Sequence, residues 1–377
     1  MYEFVDKYIN SLLSDSTPEA PKWNVEQIRL HKKPSWNYID GCMLIAIARL
    51  YKKTEDKKYY DFVKNYVDFF VGEDGSIAYY KEEEYNLDNI NEGRVLFDLY
   101  DIGGEEKYKL AAKTLYHQLE NQPRNRYGSF WHKLIYHDQV WLDGLFMAQV
   151  FSYRYQERFG KKDYSDVINQ FRNVEKFMKD KVTGLYYHGF DAEKTMFWAD
   201  EKGLSKNFWL RAMGWYFAAL ADVTAYMDDG DIKNEFKGYL KNAVDSALKF
   251  RDNDSKMFYQ VVDKGDKKGN YLETSGSALI AYAILKSVNA GNLDASYGKF
   301  GQEIFDGICK KYVKESADGI ELGGICLVAG LGPEKDTRRD GTFEYYVSEP
   351  VVTTDAKGVA PFIMCYIELS EFLEKNK

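Results

Sequence analysis

The sequence predicts an all-α protein, a single-domain (α/α)6 barrel of six inner and six outer helices spanning residues 1–377. Helical periodicity dominates the chain. Amphipathic segments alternate with segments that are apolar nearly all round, and a helix of the second kind must be buried. The apolar kind recurs six times, each copy with a glycine near a polar residue. These glycines are Gly41, Gly93, Gly144, Gly214, Gly276 and Gly358.

The six apolar segments are the predicted inner helices. In chain order they read IDGCMLIAIARLY, INEGRVLFDLYD, WLDGLFMAQVF, WLRAMGWYFAALADV, ETSGSALIAYAIL and DAKGVAPFIMCYIEL. Their glycines lie 51 to 82 residues apart, too irregular for a solenoid but regular enough for helix pairs with loop insertions. We expect the glycine-bearing starts to share one end of the barrel, where small residues let loops and a ligand approach closely.

Amphipathic segments between these helices are the predicted outer helices. They lie at roughly residues 2–13, 56–71, 104–120, 162–180, 231–252 and 296–312. Strand signals are confined to loops, around 183–198 and 256–262. The longest loop, about 317–354, is rich in glycine and threonine and is predicted to form a lid or rim.

Composition narrows the class of protein. The net charge of -8 argues against a nucleic-acid partner. The N-terminal segment MYEFVDKYINSLL lacks the basic start and apolar core of a signal peptide, and no stretch is apolar enough to span a membrane. We therefore expect a cytoplasmic protein, as a monomer or weak homodimer. The scattered cysteines are expected to be buried free thiols: Cys42, Cys309, Cys326 and Cys365.

The segment HKLIYHDQVWLDGLFMA, residues 132–148, is the most informative stretch of the chain. It places Asp143 at the head of a strongly apolar run, beside Trp141. A buried aspartate without a partner tends to stay protonated, and a protonated carboxyl beside aromatic rings suits a proton donor in sugar chemistry. The alternative is that Asp143 caps a helix.

Polar and aromatic residues at the predicted helix starts converge on one mouth of the barrel. The polar ones are Asp40, Asp88, Asp143, Arg211 and Ser275, with His132, Lys133 and His188 added by loops. The aromatic ones are Trp36, Tyr38, Trp141, Trp209 and Trp215. A cavity with carboxylates, cations and aromatic walls suits an acidic carbohydrate. The spacing of His132 and His137 matches no strong metal signature, so no metal is expected.

At this point the sequence resembles glycoside hydrolase family 105, the unsaturated rhamnogalacturonyl hydrolases, over nearly its whole length. The motifs that carry the resemblance are WNYIDG (36–41), YNLDNINEGR (85–94), HKLIYHDQVWLDGLFMA (132–148), NFWLRAMGWY (207–216), ETSGSA (273–278) and YYVSEPVVTTDAKGVAPF (345–362). WLDGLFMA and WLRAMGW are the most specific of them.

The resemblance implies a substrate made by pectin lyases, which leave a C4=C5 double bond in the non-reducing uronic acid. Asp143 matches the family's general acid/base and would protonate C4. Water would then add at C5, and the resulting hemiketal would open and release the neighbouring sugar. Asp88 matches the second family acid, assigned here to sugar-hydroxyl binding and to raising the pKa of Asp143.

The resemblance also implies a set of substrate-binding residues and no cofactor. His188 and Arg211 match residues of the family pocket, and the bidentate geometry of Arg211 suits the substrate carboxylate. The full expected set is Trp36, Tyr38, Asp40, His132, Lys133, Trp141, Met147, His188, Trp209, Arg211 and Trp215.

Three other functions stay open at the level of sequence. The first is the same chemistry on unsaturated glucuronyl disaccharides from glycosaminoglycans or algal polysaccharides, as in the related family 88. The second is a sugar isomerase, which would need paired histidines, whereas none of the five histidines falls on an inner helix start. The third is a non-catalytic sugar-binding protein, against which the presence of both Asp88 and Asp143 argues.

Overall fold

The computed structural model describes residues 2–317 and 319–376. Its α-helices are α1 Glu3–Ser14, α2 Val25–Leu30, α3 Tyr38–Thr54, α4 Lys57–Asp68, α5 Arg94–Gly103, α6 Glu106–Glu120, α7 Val150–Arg158, α8 Ser165–Phe177, α9 Leu210–Tyr226, α10 Asp231–Leu248, α11 Thr274–Asn289, α12 Gly298–Tyr312, α13 Phe343–Ser348 and α14 Ala356–Lys375. A 3-10 helix, Leu87–Gly93, leads into α5, and a π-helical turn, Leu145–Gln149, leads into α7.

These helices form an (α/α)6 barrel, so the predicted fold class is confirmed. The inner helices are α3, α5, α7, α9, α11 and α14, and the outer ones are α1, α4, α6, α8, α10 and α12. In α9 and α11 nearly every residue is buried, as the all-round apolar sequences require. Among the described residues, no helix combines the length and apolar character needed to cross a membrane. All four cysteines are free thiols; Cys309 is partly exposed and the other three are buried.

Two of the repeated glycines allow the starts of neighbouring inner helices to pack closely. We had expected these glycines to make room for a ligand. A Cβ on Gly41 would lie 2.7 Å from the Cα of Glu92, at the start of the second inner helix. A Cβ on Gly276 would lie 2.8 Å from the carbonyl carbon of Leu210, which begins α9. Neighbouring inner helices therefore touch backbone to backbone at these two points, and only glycine permits that approach.

The strands form three short antiparallel ribbons in the loops. Strands β1 Gln139–Trp141 and β2 Gly189–Asp191 pair with each other, as do β3 Val313–Ser316 with β4 Gly319–Leu322 and β5 Ile325–Cys326 with β6 Val351–Val352. The predicted strand region 183–198 contains β2, whereas 256–262 contributes only isolated bridges, such as that between Tyr259 and Leu272. The β1–β2 ribbon holds the chain segments around Trp141 and Gly189 side by side at one end of the barrel.

Candidate active site

A cavity of about 220 Å³ opens where the starts of the first inner helices meet the loops. Tyr38 begins α3, Asp88 lies in the 3-10 helix before α5, and Asp143 precedes the π-helical turn before α7. The lining residues are Glu26, Tyr38, Asp88, His132, Lys133, Tyr136, Trp141, Asp143, Met147, Val328, Ala329 and Arg339. The volume is below the roughly 300–1,000 Å³ of pockets for drug-sized ligands, so it suits one sugar ring.

The Asp143 carboxyl lines this cavity beside a histidine. Pairing of Trp141 with Gly189 in the β1–β2 ribbon brings this carboxyl beside His188. Its Oδ2 is buried without a hydrogen-bond partner among the described residues, and the imidazole nitrogen Nε2 of His188 lies 3.4 Å away. Gly144, and not Asp143, occupies the cap position of the π-helical turn that follows.

His188 is held behind Asp143 by its other ring nitrogen. Its Nδ1 and the hydroxyl of Tyr346 form a 2.8 Å hydrogen bond, which orients the ring. Burial lowers the pKa of His188 below its usual value, although the nearby Asp143 acts in the opposite direction. The imidazole is therefore neutral near pH 7, and it leaves Asp143 without a permanent positive charge beside it.

Asp88 has a different environment, although it lines the same cavity. Its Oδ2 lies 2.8 Å from Lys133 Nζ, and its Oδ1 lies 3.2 Å from His132 Nε2. Burial alone would raise the pKa of Asp88, but the charges of Lys133 and His132 outweigh burial and lower it. Asp88 is thus ionised and already paired. We expected Asp88 to repel a negative charge on Asp143. That repulsion is weakened because the Asp88 carboxylate is already paired with its own neighbours.

Trp141 forms the aromatic wall between these two acids. Its ring stacks on His132 with centroids 4.5 Å apart and contacts Tyr136 at 4.4 Å. Its Nε1 donates to Oε1 of Gln139 at 3.2 Å, so the indole is anchored at its polar edge. The face of such a ring suits the apolar face of a sugar.

Several residues expected at the mouth lie behind the cavity wall. Asp40 accepts hydrogen bonds from Trp23 Nε1, Asn24 Nδ2 and Asn37 Nδ2, so it organises the start of α3 and does not line the cavity. Trp36 donates to the carbonyl oxygen of Asn89 at 2.8 Å and is buried. The expectation that these two residues face the mouth is therefore wrong.

Two further tryptophans lie in the core. Trp215 packs its ring on Phe146, with centroids 4.6 Å apart. Trp209 stands behind His188 at 4.7 Å and supports its position. Neither ring lines the cavity. The apolar helix that carries Trp215 is buried on all sides, and this burial explains why periodicity could not single out a sugar-facing tryptophan there.

Arg211 is buried in the wall. Its Nη1 donates to Oγ of Ser275 at 3.2 Å and to the carbonyl oxygen of Cys326, and its guanidinium lies over the Trp209 ring at 4.8 Å. Arg211 therefore ties α9 to α11 and β5, and it is not among the residues that line the cavity. The expected bidentate contact from Arg211 to a substrate carboxylate does not fit this position.

The structure adds lining residues that sequence reasoning missed. Tyr136 falls inside the segment 132–148 that the sequence singled out, and Arg339 falls inside the loop 317–354 predicted as a lid or rim, so a signal for them existed. Glu26 lies on the short helix α2, outside the glycine pattern, and it pairs with the buried Lys357 at 2.8 Å. The loop predicted as a lid or rim also supplies Val328 and Ala329, so part of it forms the rim.

An (α/α)6 barrel with an unpartnered buried acid, an ionised acid and an aromatic wall in one small cavity has the features of a carbohydrate-active enzyme. The family model described as Glycosyl Hydrolase Family 88 matches residues 14–373. A solved family 105 glycoside hydrolase of C. acetobutylicum ATCC 824 is 44% identical with a TM-score of 0.88, covering 97% of this chain and 99% of that chain.

Two curated proteins are also similar to this chain. The unsaturated rhamnogalacturonyl hydrolase YesR of Bacillus subtilis (strain 168) is 27% identical, over 67% of this chain and 71% of its own length. Protein Atu3128 of Agrobacterium fabrum is 33% identical, over 59% of this chain and 97% of its own length. The chain belongs to glycoside hydrolase family 105 and is a hydrolase acting on unsaturated uronic acids.

Proposed function

We propose that this protein is an unsaturated rhamnogalacturonyl hydrolase. It would hydrate the C4=C5 double bond of an unsaturated galacturonic acid and release the neighbouring rhamnose. The observation that carries the proposal is the buried, unpartnered Oδ2 of Asp143 in a cavity of one-sugar size. The choice of rhamnose as the neighbouring sugar is supported by the similarity to the B. subtilis rhamnogalacturonyl hydrolase.

In the proposed reaction Asp143 donates its proton to C4 of the vinyl ether. Positive charge then develops at C5 and is shared by the ring oxygen. Water adds at C5 and gives a proton back to Asp143, so one residue serves as acid and then as base. The hemiketal at C5 opens, and the neighbouring sugar leaves. The anomeric carbon is not attacked, so the carboxylate-separation rule for retention and inversion does not apply.

The neutral His188 supports the acid role of Asp143. A protonated imidazole 3.4 Å from Oδ2 would favour the carboxylate over the carboxylic acid. Burial lowers the pKa of His188 and so keeps this charge away near neutral pH. Lys133 and His132 contact Asp88 instead, and the ionised Asp88 can accept hydrogen bonds from sugar hydroxyl groups.

Arg339 is the cation we assign to the substrate carboxylate. It lines the cavity, and its Nε has no hydrogen-bond partner among the described residues; the nearest acid oxygen, Asp336 Oδ2, is 3.4 Å away. Lys133, the lysine of the same lining, is already paired with Asp88. The planar guanidinium of arginine suits bidentate recognition of a carboxylate.

The test is the ultraviolet absorbance of the conjugated double bond in unsaturated galacturonyl-rhamnose, with wild type and Asp143→Asn in parallel. Loss of absorbance with wild type alone supports both the reaction and the proton donor. If absorbance is lost only with unsaturated glucuronyl disaccharides, the chemistry stands and the substrate assignment is wrong. If neither substrate is consumed, the proposed reaction is wrong.

A further inference from the structure

A second cavity, of about 340 Å³, lies at the opposite end of the barrel. Residues towards the C-terminal ends of the inner helices line it, among them Arg49 and Lys52 on α3, Arg154 on α7 and Lys286 on α11. Six cationic side chains but only three carboxylates contribute to the lining. This local excess of positive charge occurs in a chain whose net charge is -8.

The deepest charges in this region are matched. Asp222 accepts from Arg49 Nη2 at 2.9 Å and from Arg94 Nη2 at 2.6 Å. Burial acts to raise the pKa of Asp222, but these two arginines outweigh it and lower it, so the carboxylate is ionised. Asp222 and Glu374, which pairs with Lys53, add two carboxylates from outside the lining, so the six cationic side chains meet five carboxylates and one positive charge remains in excess.

Four lysine and arginine side chains of the lining share two carboxylates. Lys52 Nζ and Arg154 Nη2 both contact Oδ1 of Asp98, at 2.7 Å and 3.0 Å. Lys286 Nζ and Arg49 Nη1 both approach Oε1 of Glu368, at 3.1 Å and 3.7 Å. Two carboxylates thus serve four cationic groups from three inner helices, and of these four only Arg49 also pairs with Asp222.

Two buried arginines of the lining also retain unused donors. Arg94 is 3% exposed and Arg154 is 5% exposed. Arg94 Nη1 and Arg154 Nε have no hydrogen-bond acceptor among the described residues. Phe146 and Phe97 lie against the two guanidinium groups, but a ring face is a weaker partner than an oxygen. Helix C-termini favour nearby cations, yet that preference does not explain donors left without acceptors.

We propose that this cavity binds a small anion carrying a phosphate group. Cations reach it from helices placed around the barrel axis, and a tetrahedral dianion presents oxygens in several directions, whereas a carboxylate presents two in one plane. Arginine and lysine together are the usual phosphate ligands. The proposal does not depend on the hydrolase activity, because the site is lined by none of the residues of the first cavity.

Isothermal titration calorimetry with inorganic phosphate, at constant ionic strength set by chloride, tests the proposal. A second arm uses a hexose 6-phosphate. We expect saturable binding of one ligand per chain. Tighter binding of the hexose phosphate would identify the ligand as a phosphate ester, and equal or weaker binding would identify free phosphate. Absence of saturable binding in both arms would overturn the proposal.

Paired variants locate the binding. Lys52→Ala with Lys286→Ala should weaken phosphate binding at least tenfold, while Lys310→Ala with Lys311→Ala, the same charge change on exposed positions of α12, should leave it unchanged. If the double alanine variant does not fold, Lys52→Gln with Lys286→Gln removes the same two charges while keeping longer side chains. Arg339→Gln should keep phosphate binding. Loss in Arg339→Gln with retention in the Lys52 and Lys286 pair would place phosphate in the first cavity and overturn the proposal.

Discussion

His188 Nε2 lies 3.4 Å from Oδ2 of Asp143, and the two atoms are buried without a hydrogen bond to each other or to another described residue. The histidine is held in place from behind by the hydroxyl of Tyr346, 2.8 Å from Nδ1. A carboxyl oxygen left open beside a neutral ring is costly for stability. Such a cost is typical of a site kept for chemistry.

Asp143→Asn should abolish nearly all turnover while leaving the fold intact. The amide keeps the shape of the carboxyl but cannot donate a proton to C4, and general acid catalysis contributes roughly 10²–10⁴-fold. Loss of double-bond absorbance measures turnover, and the thermal unfolding midpoint checks the fold. Asp138→Asn is the matched control, because Asp138 has a φ of 57°, which Asn tolerates, its carboxylate accepts from Trp131 Nε1, and it does not line the cavity. Substantial turnover by Asp143→Asn would remove Asp143 as the proton donor.

The pH profile of kcat/KM should fall as pH rises, because the proposed reaction needs a proton donor. On the acid side, a protonated His188 would place a positive charge in the site and oppose the positive charge that develops at C5. Since burial lowers the pKa of His188, this acid limb should appear below the ordinary histidine value of about 6.5. Initial rates across a pH series measure both limbs. A rate that still climbs well above neutral pH would contradict a carboxylic acid donor.

Asp88 and Lys133 should be coupled in stability. Asp88→Asn leaves the ammonium of Lys133 without its carboxylate, and breaking a buried ion pair by removing one partner costs about 3–5 kcal/mol, less here because Lys133 is partly exposed. Lys133→Met should be destabilising for the reciprocal reason. The double variant should lose less than the sum of the two single variants. Urea unfolding of all four proteins gives the coupling, and strict additivity would mean that the pair contributes no interaction of its own.

Arg339→Gln should raise KM far more than it changes kcat. A hydrogen bond to a charged group contributes roughly 1.5–3 kcal/mol, which corresponds to about 10–150-fold in kcat/KM. Because the substrate carboxylate is charged before and during the reaction, its contact with Arg339 stabilises the bound substrate and the transition state equally. Arg338→Gln is the control: Arg338 is 57% exposed and pairs with Glu349. Equal effects of the two substitutions would show that Arg339 has no special contact with substrate.

Gly41→Ala should destabilise the barrel, because the added Cβ would lie 2.7 Å from the Cα of Glu92 and push two inner helices apart. Overpacking of this kind costs about 1–3 kcal/mol. Gly238→Ala is the control in the exposed outer helix α10, where nothing lies within 4 Å of the added Cβ. That change should stabilise by about 0.5–1 kcal/mol through helix propensity. Chemical denaturation measures both, and stabilisation by Gly41→Ala would mean that the helices can separate at no cost.

The sequence by itself determined the architecture and the proton-donor candidate. Burial periodicity is a local property of a helix, so the all-round apolar segments identified the inner helices and the amphipathic ones identified the outer helices. The start of the third inner helix was visible in the same way, since Asp143 is a lone acid at the head of an apolar run.

Only the tertiary structure decided which polar side chains face the cavity. Asp40 and Arg211 stand at helix starts like Asp143, yet their hydrogen bonds to neighbouring segments turn them into the wall. Glu26 and Arg339 reach the cavity from a short helix and a loop that carry no periodic signal. The direction of a side chain at a helix start depends on partners far away in sequence, and no local pattern encodes those partners.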